Sequence, residues 1–319
     1  MSMPGLFDEI PERRRRLADR LHQLAQRNVW IGTSSWKYPG WLGQIYTPER
    51  YQTRGKFSQK KFDDTCLAEY AETFPIVCGD FAFYQFPSPE YWAKLFLGSP
   101  ASLHFGFKVP EHITVKTWPG HARYGQRAGL DNEHFLDASL FEAAFTRALD
   151  PHRERVGVLM FEFGAFNKKQ FPTAAGFLAA LDPFLGSLPR GWRYAVEIRN
   201  PEYLGPDYLA CLRSHGVAHV YNSWTRMPEL ASQLALQDSQ TAPFTVTRAL
   251  LRPGRTYEQA VRKFEPYQHV QEPHDSARDA LRDIVRHGEA NGKGAFVFVN
   301  NRLEGNAPET IEAILGLNE

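Results

Sequence analysis

An acidic and a basic residue lie two positions apart in the segment WRYAVEIR, residues 192–199. In a β-strand alternate side chains share a face, so Glu197 and Arg199 would lie together, with Tyr194, Val196 and Ile198 on the opposite, apolar face. Burying a carboxylate or a guanidinium is costly unless the group is paired. The pair is therefore either a structural ion pair at a strand end or part of a site where a carboxylate moves protons and a cation holds an anion.

Polar residues also fall late in the other apolar segments of the chain. They supply two more acids, two more bases and three amides: Asp80, Lys108, Glu162, Asn222, Arg248, Asn300 and Asn301. A single buried polar residue is usually a satisfied core group, whereas a set that converges on one place is more typical of a binding or catalytic site. Convergence requires that these distant segments end at the same edge of one sheet.

Eight short apolar segments alternate with helical patterns, which predicts a parallel sheet. The strands are predicted at residues 29–33, 76–84, 103–109, 156–163, 192–199, 217–221, 243–250 and 295–299. Eight units favour an α/β fold with a single closed (β/α)8 TIM-like barrel, residues 29–319, over an open doubly wound sheet. No GxGxxG motif follows the first strand, which disfavours a dinucleotide-binding fold.

The helices are predicted from 3.6-residue periodicity and from capping residues such as Ser88 and Gly216. The predicted ranges are 63–73, 89–97, 132–149, 177–185, 208–214, 257–264, 275–288 and 308–315. An N-terminal extension, residues 1–28, carries leucines at helical spacing and is predicted to form an amphipathic helix. Its run of four arginines, residues 13–16, is either a solvated face or a surface for an anionic partner.

In a barrel, active sites lie where the strands run into the following loops. We expect Glu197 or Glu162 to be the general acid or base, because burial raises and neighbouring arginines lower the pKa of such a carboxylate. Lys108 joins them in the predicted catalytic group. The predicted binding residues are Arg199, Arg248, Asn222, Asn300, Asn301, Asp80, Trp36 and Tyr84. Their forked and cationic donors suit hydrolase- or lyase-like acid–base chemistry on a small anionic, phosphorylated or sugar-like substrate.

Two loops add groups to this predicted mouth. The loop that contains Arg252, Gly254 and Arg255 follows the seventh strand, where barrels often hold phosphate, although Pro253-Gly254 is equally consistent with an ordinary turn. The aromatic loop after the first strand, which includes Trp36, either stacks on a sugar or base or caps the barrel and excludes water.

The sequence contains no HExxH, His-x-His or CxxC motif, so neither a metal nor another cofactor is expected. Asp80, Glu162 and Glu197 could hold Mg²⁺, but the neighbouring cations would oppose it. The three cysteines are far apart and odd in number, as expected for free thiols in a reducing cytoplasm. No apolar segment approaches the length of a membrane span.

Two other classes of function stay open. In a nucleic-acid-binding or nucleic-acid-processing barrel, the aromatic loop would stack on bases, and Lys116, Arg123 and Arg127 in the 110–130 loop would contact the backbone. The net charge of +1 counts against that alternative. In a non-catalytic ligand-binding protein, the same mouth would bind an anion without turnover.

Several short motifs together resemble the domain of unknown function 72 family, the YecE-like proteins. They occur in the order of that family, from about residue 29 to residue 315: IGTSSWKY at 31–38 with Trp41 and Tyr46-Thr47-Pro48, then Phe83-Tyr84, FKVP at 107–110 with Ile113-Thr114, VEIR at 196–199, Arg248 and Asn300-Asn301. The resemblance implies a TIM-like barrel and carries no assigned activity.

The chain departs from the family pattern on two strands. It has Val77-Cys78-Gly79-Asp80 where the family usually has Val-Glu-x-Asn, and Glu162 and Gly164 where the family favours Gln and then Pro. Roles on these two strands therefore follow less directly from the resemblance than those of Lys108 or Arg248.

Overall fold

The computed structural model describes residues 6–317 and contains a closed barrel of eight parallel strands surrounded by helices. In chain order the strands are β1 (Val29–Thr33), β2 (Gln52–Thr53), β3 (Lys56–Phe57), β4 (Ile76–Gly79), β5 (His104–Lys108), β6 (Val156–Glu162), β7 (Tyr194–Glu197), β8 (Ala218–Ser223), β9 (Phe244–Ala249) and β10 (Gly294–Val299). β2 and β3 form a small antiparallel hairpin, and the other eight form the barrel, with β10 pairing against β1 to close it. The predicted TIM-like barrel is confirmed.

The helices cover the outside of the barrel. They are α1 (Leu6–Gln26), α2 (Gln59–Thr73), α3 (Pro89–Leu97), α4 (Glu111–Thr114), α5 (Ala138–Phe141), α6 (Arg147–Leu149), α7 (Ala174–Gly186), α8 (Pro206–Ser214), α9 (Leu230–Leu234), α10 (Tyr257–Phe264), α11 (Asp275–Asn291) and α12 (Ala307–Leu315). A π-helical turn, Glu142–Thr146, joins α5 to α6. Across residues 6–317, none of the helices combines the length and the apolar character that crossing a bilayer requires.

The alternation of residue types along each strand separates two cores. On β7, Tyr194 and Val196 pack in the layer between strands and helices, whereas Ala195 packs inside the barrel. On β5, Phe105 and Phe107 likewise face the helices. The opposite faces of the strands point inwards, so polar residues late in the strands are directed towards the carboxyl-terminal mouth.

Gly106 shows how closely the barrel interior is packed. A Cβ atom at this position would lie 2.5 Å from the ring of Phe298 on β10. The missing side chain on β5 therefore leaves the space that the Phe298 ring fills. Cys78 lies in the same interior cluster, and its burial raises the pKa of its thiol to about 12. This environment is that of a packing residue and not of an activated nucleophile.

Two predicted elements were wrong in part. The second strand ends at Gly79, and Asp80 follows it instead of lying in its interior, because the apolar run Phe81–Phe83 forms a 3-10 turn. The helix predicted from residue 132 begins at Ala138, where Asp137 Oδ1 accepts a hydrogen bond from the Leu140 backbone N–H. Leu136 just before it has a positive φ of 59°, which a continuous helix does not allow.

The N-terminal helix α1 is part of the folded body. Leu17, Leu21 and Leu24 are buried in the main core, which confirms the predicted amphipathic helix over the described residues; residues 1–5 lie outside them. Within the arginine run, Arg13 pairs with Glu312 on α12 and Arg14 pairs with Glu69 on α2. These two arginines therefore attach α1 to helices on either side of it.

Candidate functional site

Six charged side chains meet at the carboxyl-terminal mouth, and we call them the ionic cluster: Asp80, Lys108, Glu162, Glu197, Arg199 and Arg248. Lys108, Glu162 and Glu197 are the last residues of β5, β6 and β7. Arg248 lies one residue before the end of β9. The structure therefore brings together all six charged residues predicted for the site.

Arg248 is the centre of the cluster. Its Nη1 donates to Glu162 Oε2 at 2.6 Å and to Glu197 Oε2 at 2.5 Å. Its Nη2 lies 3.7 Å from Asp80 Oδ1, beyond hydrogen-bonding distance. Burial lowers the pKa of Arg248, but the charges of Glu197 and Glu162 outweigh burial and raise the pKa well above its ordinary value. Arg248 is therefore a permanent cation that holds two carboxylates side by side.

Glu162 is held by all three cations of the cluster. Besides Arg248, Arg199 Nη2 lies 2.9 Å from its Oε1 and Lys108 Nζ lies 3.0 Å from its Oε2. Burial raises the pKa of Glu162, but the charges of Arg199, Lys108 and Arg248 together hold it far below its usual range. Glu162 is consequently ionised at neutral pH.

Two aromatic rings position the outer cations, and sequence reasoning did not assign either ring to the site. The Arg199 guanidinium lies 3.7 Å from the centroid of the Trp224 ring, and Lys108 Nζ lies 3.8 Å from that of Phe83. Both distances are well within the range of cation–π attraction. The only sequence signals were that Trp224 follows the assigned Asn222 by two residues and that Phe83 precedes the assigned Tyr84.

Exposure increases from the bottom of the cluster to its top. The side chain of Glu197 is completely buried and that of Arg248 nearly so, whereas that of Asp80 is 41% exposed. Three acids face three bases, so the cluster has no formal excess of either charge. Any divalent cation bound by the acids would have to displace the ammonium and guanidinium groups that contact them.

Two of the predicted amides form structural contacts at the ends of the strands. Asn222 Nδ2 donates to the Ile198 carbonyl at 3.1 Å, while its buried Oδ1 has no hydrogen-bond partner in the part of the chain that the structure describes. Asn301 Oδ1 accepts from Trp41 Nε1 at 3.2 Å and from the Ala307 N–H at 2.8 Å, at the start of α12. Asn301 therefore joins the loop after β1 to the last helix.

The remaining predicted binding residues lie around the cluster. Asn300 Oδ1 accepts a hydrogen bond from the Arg302 backbone N–H at 3.0 Å. Trp36 is buried and packs edge-on against Phe81. The side chain of Tyr84 is 54% exposed, and the Arg123 guanidinium lies over its ring. Within residues 6–317, the three amides, Trp36 and Tyr84 form no ion pair or side-chain hydrogen bond with the ionic cluster. Trp36 thus contributes to the packing of the aromatic loop.

A second group of charges lies in the connection between β9 and β10, with one member, Lys263, on α10. We call it the rim cluster: Arg252, Arg255, Lys263 and Glu272. Arg252 Nη1 lies 2.5 Å from Glu272 Oε1, Arg255 Nη2 lies 2.9 Å from the same oxygen, and Lys263 also pairs with Glu272. Hydrogen bonds from Lys263 and Arg255 lower the pKa of Glu272 to about 2. Three cations thus share one carboxylate, and the buried Arg252 Nε and Arg255 Nη1 have no hydrogen-bond partner among residues 6–317.

The cations of the 110–130 loop contact other protein groups. Lys116 Nζ lies over the rings of Phe135 and Phe171, and the Arg127 guanidinium lies 4.5 Å from the centroid of Trp118. Arg123 pairs with the buried Glu111 at 2.9 Å. A nucleic-acid backbone would compete with these contacts.

A family model described as "Protein of unknown function DUF72" matches residues 30–318 of the chain. The chain belongs to this family. The match confirms the resemblance found in the motifs. The UPF0759 protein YecE of Escherichia coli strain K12 is 25% identical over 176 residues, which is 55% of this chain and 50% of that protein. The chain thus spans about half the length of the curated relatives it matches.

Solved structures of DUF72 proteins share the fold. The DUF72 family protein TM1631 of Thermotoga maritima MSB8 has a TM-score of 0.60 at 21% identity, covering 91% of this chain and 99% of that one. A DUF72 family protein of Enterococcus faecalis V583, EF0366, has a TM-score of 0.59 at 17% identity, covering 91% and 96%. At such identities the likeness supports the barrel and carries no activity with it.

Proposed function

We propose that this DUF72 protein is an enzyme that acts, without a redox cofactor, on a small phosphorylated substrate at the carboxyl-terminal mouth. The observation that carries the proposal is the loose contact of Asp80 with the cluster: its Oδ1 is 3.7 Å from both Lys108 Nζ and Arg248 Nη2. A substrate anion can displace this half-exposed carboxylate and bind the same two cations more closely.

Binding of the anion would also make Glu162 a stronger base. Glu162 is a weak base because Lys108, Arg199 and Arg248 stabilise its ionised form. An anion that is bound by Lys108 and Arg248 and extends to Arg199 draws these cations towards itself, which reduces that stabilisation and raises the pKa of Glu162. Glu162 then accepts a proton from the substrate while Lys108 stabilises the negative charge that develops.

Glu197 has a different role from Glu162 in this proposal. Its side chain has no exposed surface, and its two oxygens face Arg248 at 2.5 Å and Arg199 at 3.3 Å. We therefore assign Glu197 the positioning of the two arginines and Glu162 the proton transfer. The two acids predicted for general acid–base work thus differ in their partners: Lys108 contacts Glu162, whereas Glu197 contacts only the two arginines among the cations of the cluster.

The preference for a phosphoryl group rests on the rim cluster. The ionic cluster is balanced, whereas Arg252, Arg255 and Lys263 exceed Glu272 in charge. Among the described residues, Arg252 Nε and Arg255 Nη1 also have no hydrogen-bond partner. Loops after the seventh barrel strand often hold phosphate in this fold. The rim is also connected to the ionic cluster, because the Arg255 carbonyl accepts from Thr225 Oγ1 at 2.8 Å, next to Trp224.

The test is a two-stage screen of the purified protein. Sugar phosphates and their unphosphorylated parents are compared by thermal shift, and the ligands that bind are then followed by NMR for turnover. Glu162→Gln should abolish turnover and keep binding, whereas the control Glu69→Gln, a buried acid that pairs with Arg14, should keep both. Stabilisation by the unphosphorylated sugars alone would refute the phosphoryl preference.

Other outcomes of the screen would refute the enzyme assignment. If ligands bind but none is turned over, the protein is a non-catalytic binding protein. Binding of oligonucleotides that weakens steeply with salt would favour the nucleic-acid alternative. We place the activity in the cytoplasm because Cys66, Cys78 and Cys211 are all free thiols.

A further inference from the structure

Three metal-ligand side chains from two neighbouring helices lie together away from the mouth. They are Asp182 on α7, Cys211 on α8 and His215, which follows α8 directly. Asp182 Oδ1, Cys211 Sγ and one imidazole nitrogen of His215 all lie within 4.8 Å of one another. Their residue types, one sulfur, one nitrogen and one oxygen ligand, are those that bind zinc in proteins.

The local structure explains why the three groups meet. Cys211 and His215 are four residues apart, so they lie one helical turn apart on the same side of α8. α7 and α8 pack against each other, which brings Asp182 opposite them. His215 is three residues before the start of β8, so the group lies at the amino-terminal end of the barrel strands. The ionic cluster is at the other end.

We propose that Asp182, Cys211 and His215 bind a zinc ion that joins α7 to α8. Tetrahedral zinc, with bonds of about 2.3 Å to sulfur and about 2.0 Å to nitrogen and oxygen, places N and O ligands ~3.3 Å apart and sulfur ~3.5 Å from each. The present distances are 2.8 Å from His215 Nε2 to Asp182 Oδ1 and 3.8 Å from Cys211 Sγ to the same oxygen. Shifts of ~0.5 Å and ~0.3 Å therefore bring these two pairs to zinc geometry.

The charges and protons balance at such a site. Zinc takes the Cys211 thiolate, the Asp182 carboxylate and the Nε2 lone pair of neutral His215, and the thiol proton is released to solvent. The two anionic ligands match the charge of the ion. Water supplies the fourth ligand, because the side chain of Asp182 is 61% exposed and the ion is open to solvent on that side. The expected effect is stabilisation of the barrel base rather than catalysis.

The test uses the full chain after dialysis against a chelator. Titration with Co²⁺ should produce thiolate-to-cobalt charge-transfer absorption and the visible bands of a tetrahedral ion, saturating at one ion per chain, and Zn²⁺ should displace it. Zn²⁺ at about a hundredfold excess over its Kd should raise Tm by about 4 °C or more. A spectrum without charge transfer would overturn the proposal.

Variants separate this site from the other thiols and histidines. Cys211→Ser should remove the charge-transfer band although Cys66 and Cys78 remain, and a persisting band would overturn the assignment. Asp182→Asn, a milder change on the surface, should weaken Co²⁺ binding by at least about 10-fold. The control His287→Ala removes an exposed histidine on α11 and should leave the titration unchanged.

Discussion

Glu162 and Glu197 are register partners on the adjacent strands β6 and β7, and one nitrogen atom of a single arginine holds both carboxylates. Two acids side by side in a buried place repel each other strongly. They are tolerated because the guanidinium of Arg248 lies between them. The ionisation of the two acids therefore depends on Arg248 together with Arg199, which also contacts both carboxylates.

Replacing Arg248 by methionine should destabilise the protein by about 3–5 kcal/mol, because the change removes the nitrogen that donates to both buried carboxylates. Urea unfolding would measure this free energy. The double variant Arg248→Met with Glu162→Gln should recover part of the loss. Arg15→Met, at an exposed surface pair with Glu12, should leave the stability nearly unchanged. A loss equally small at Arg248 would contradict the central role.

Acid should destabilise the protein through Glu162. Its pKa is lower in the folded protein than in the unfolded chain, so its contribution is fully present above the unfolded value of about 4.3 and is lost as the pH falls below it. Unfolding free energies measured from pH 6 to pH 3 should therefore decrease, and Glu162→Gln should show a shallower decrease. An unchanged slope in this variant would rule out the assigned ionisation.

His219 is expected to cause a separate loss of stability at milder acidity. Burial lowers its pKa to about 4, and its ring contacts Tyr208 and Gln233. Since the unfolded chain takes up a proton below about pH 6.5 and the folded one does not, stability should fall by about 2 kcal/mol between pH 7 and pH 5. His219→Gln should make that decrease shallower, and part of it should remain because burial also lowers the pKa of His104 and His112. His287→Gln, at an exposed site, should leave the decrease unchanged.

Trp224 should contribute to ligand binding through Arg199. Trp224→Ala removes the ring that supports the guanidinium and should weaken binding of the best phosphorylated ligand by about 5- to 30-fold, the equivalent of ~1–2 kcal/mol. Trp224→Phe should retain most of the affinity because it keeps an aromatic face. Isothermal titration would measure both. Equal losses in the two variants would indicate a packing role for Trp224 instead.

The N-terminal helix should be required for stability. Leu21 on α1 is completely buried in the main core. Leu21→Ala should therefore cost about 2–4 kcal/mol in unfolding free energy, as expected for a large-to-small change in a packed core. Thermal and urea unfolding would both report it. A change below about 1 kcal/mol would show that α1 is only loosely attached.

The sequence by itself determined the barrel and the direction of its side chains. Period-two alternation, as in Phe105 and Phe107 against Gly106 and Lys108, is a local property, and it indicates which face of a strand meets the helices. The same rule placed Glu197 on the inner face of β7. The prediction of a strand over residues 76–84 was wrong at its end. Its aromatic residues are typical of a strand, but Phe81–Phe83 form a 3-10 turn that leaves the sheet.

Only the tertiary structure decided which acidic and basic side chains pair with each other. Nothing in the sequence around Arg248 indicates that it contacts Glu162 and Glu197, 86 and 51 residues away. Nor does the position at a strand end distinguish Asn301, which accepts a hydrogen bond from the first residue of α12, from Lys108, which faces the mouth. Distances between segments remote in sequence follow from closure of the barrel and from helix packing. For that reason the sequence predicted neither the partners of Glu272 nor the contact between Asp182 and Cys211, and only the folded structure shows them.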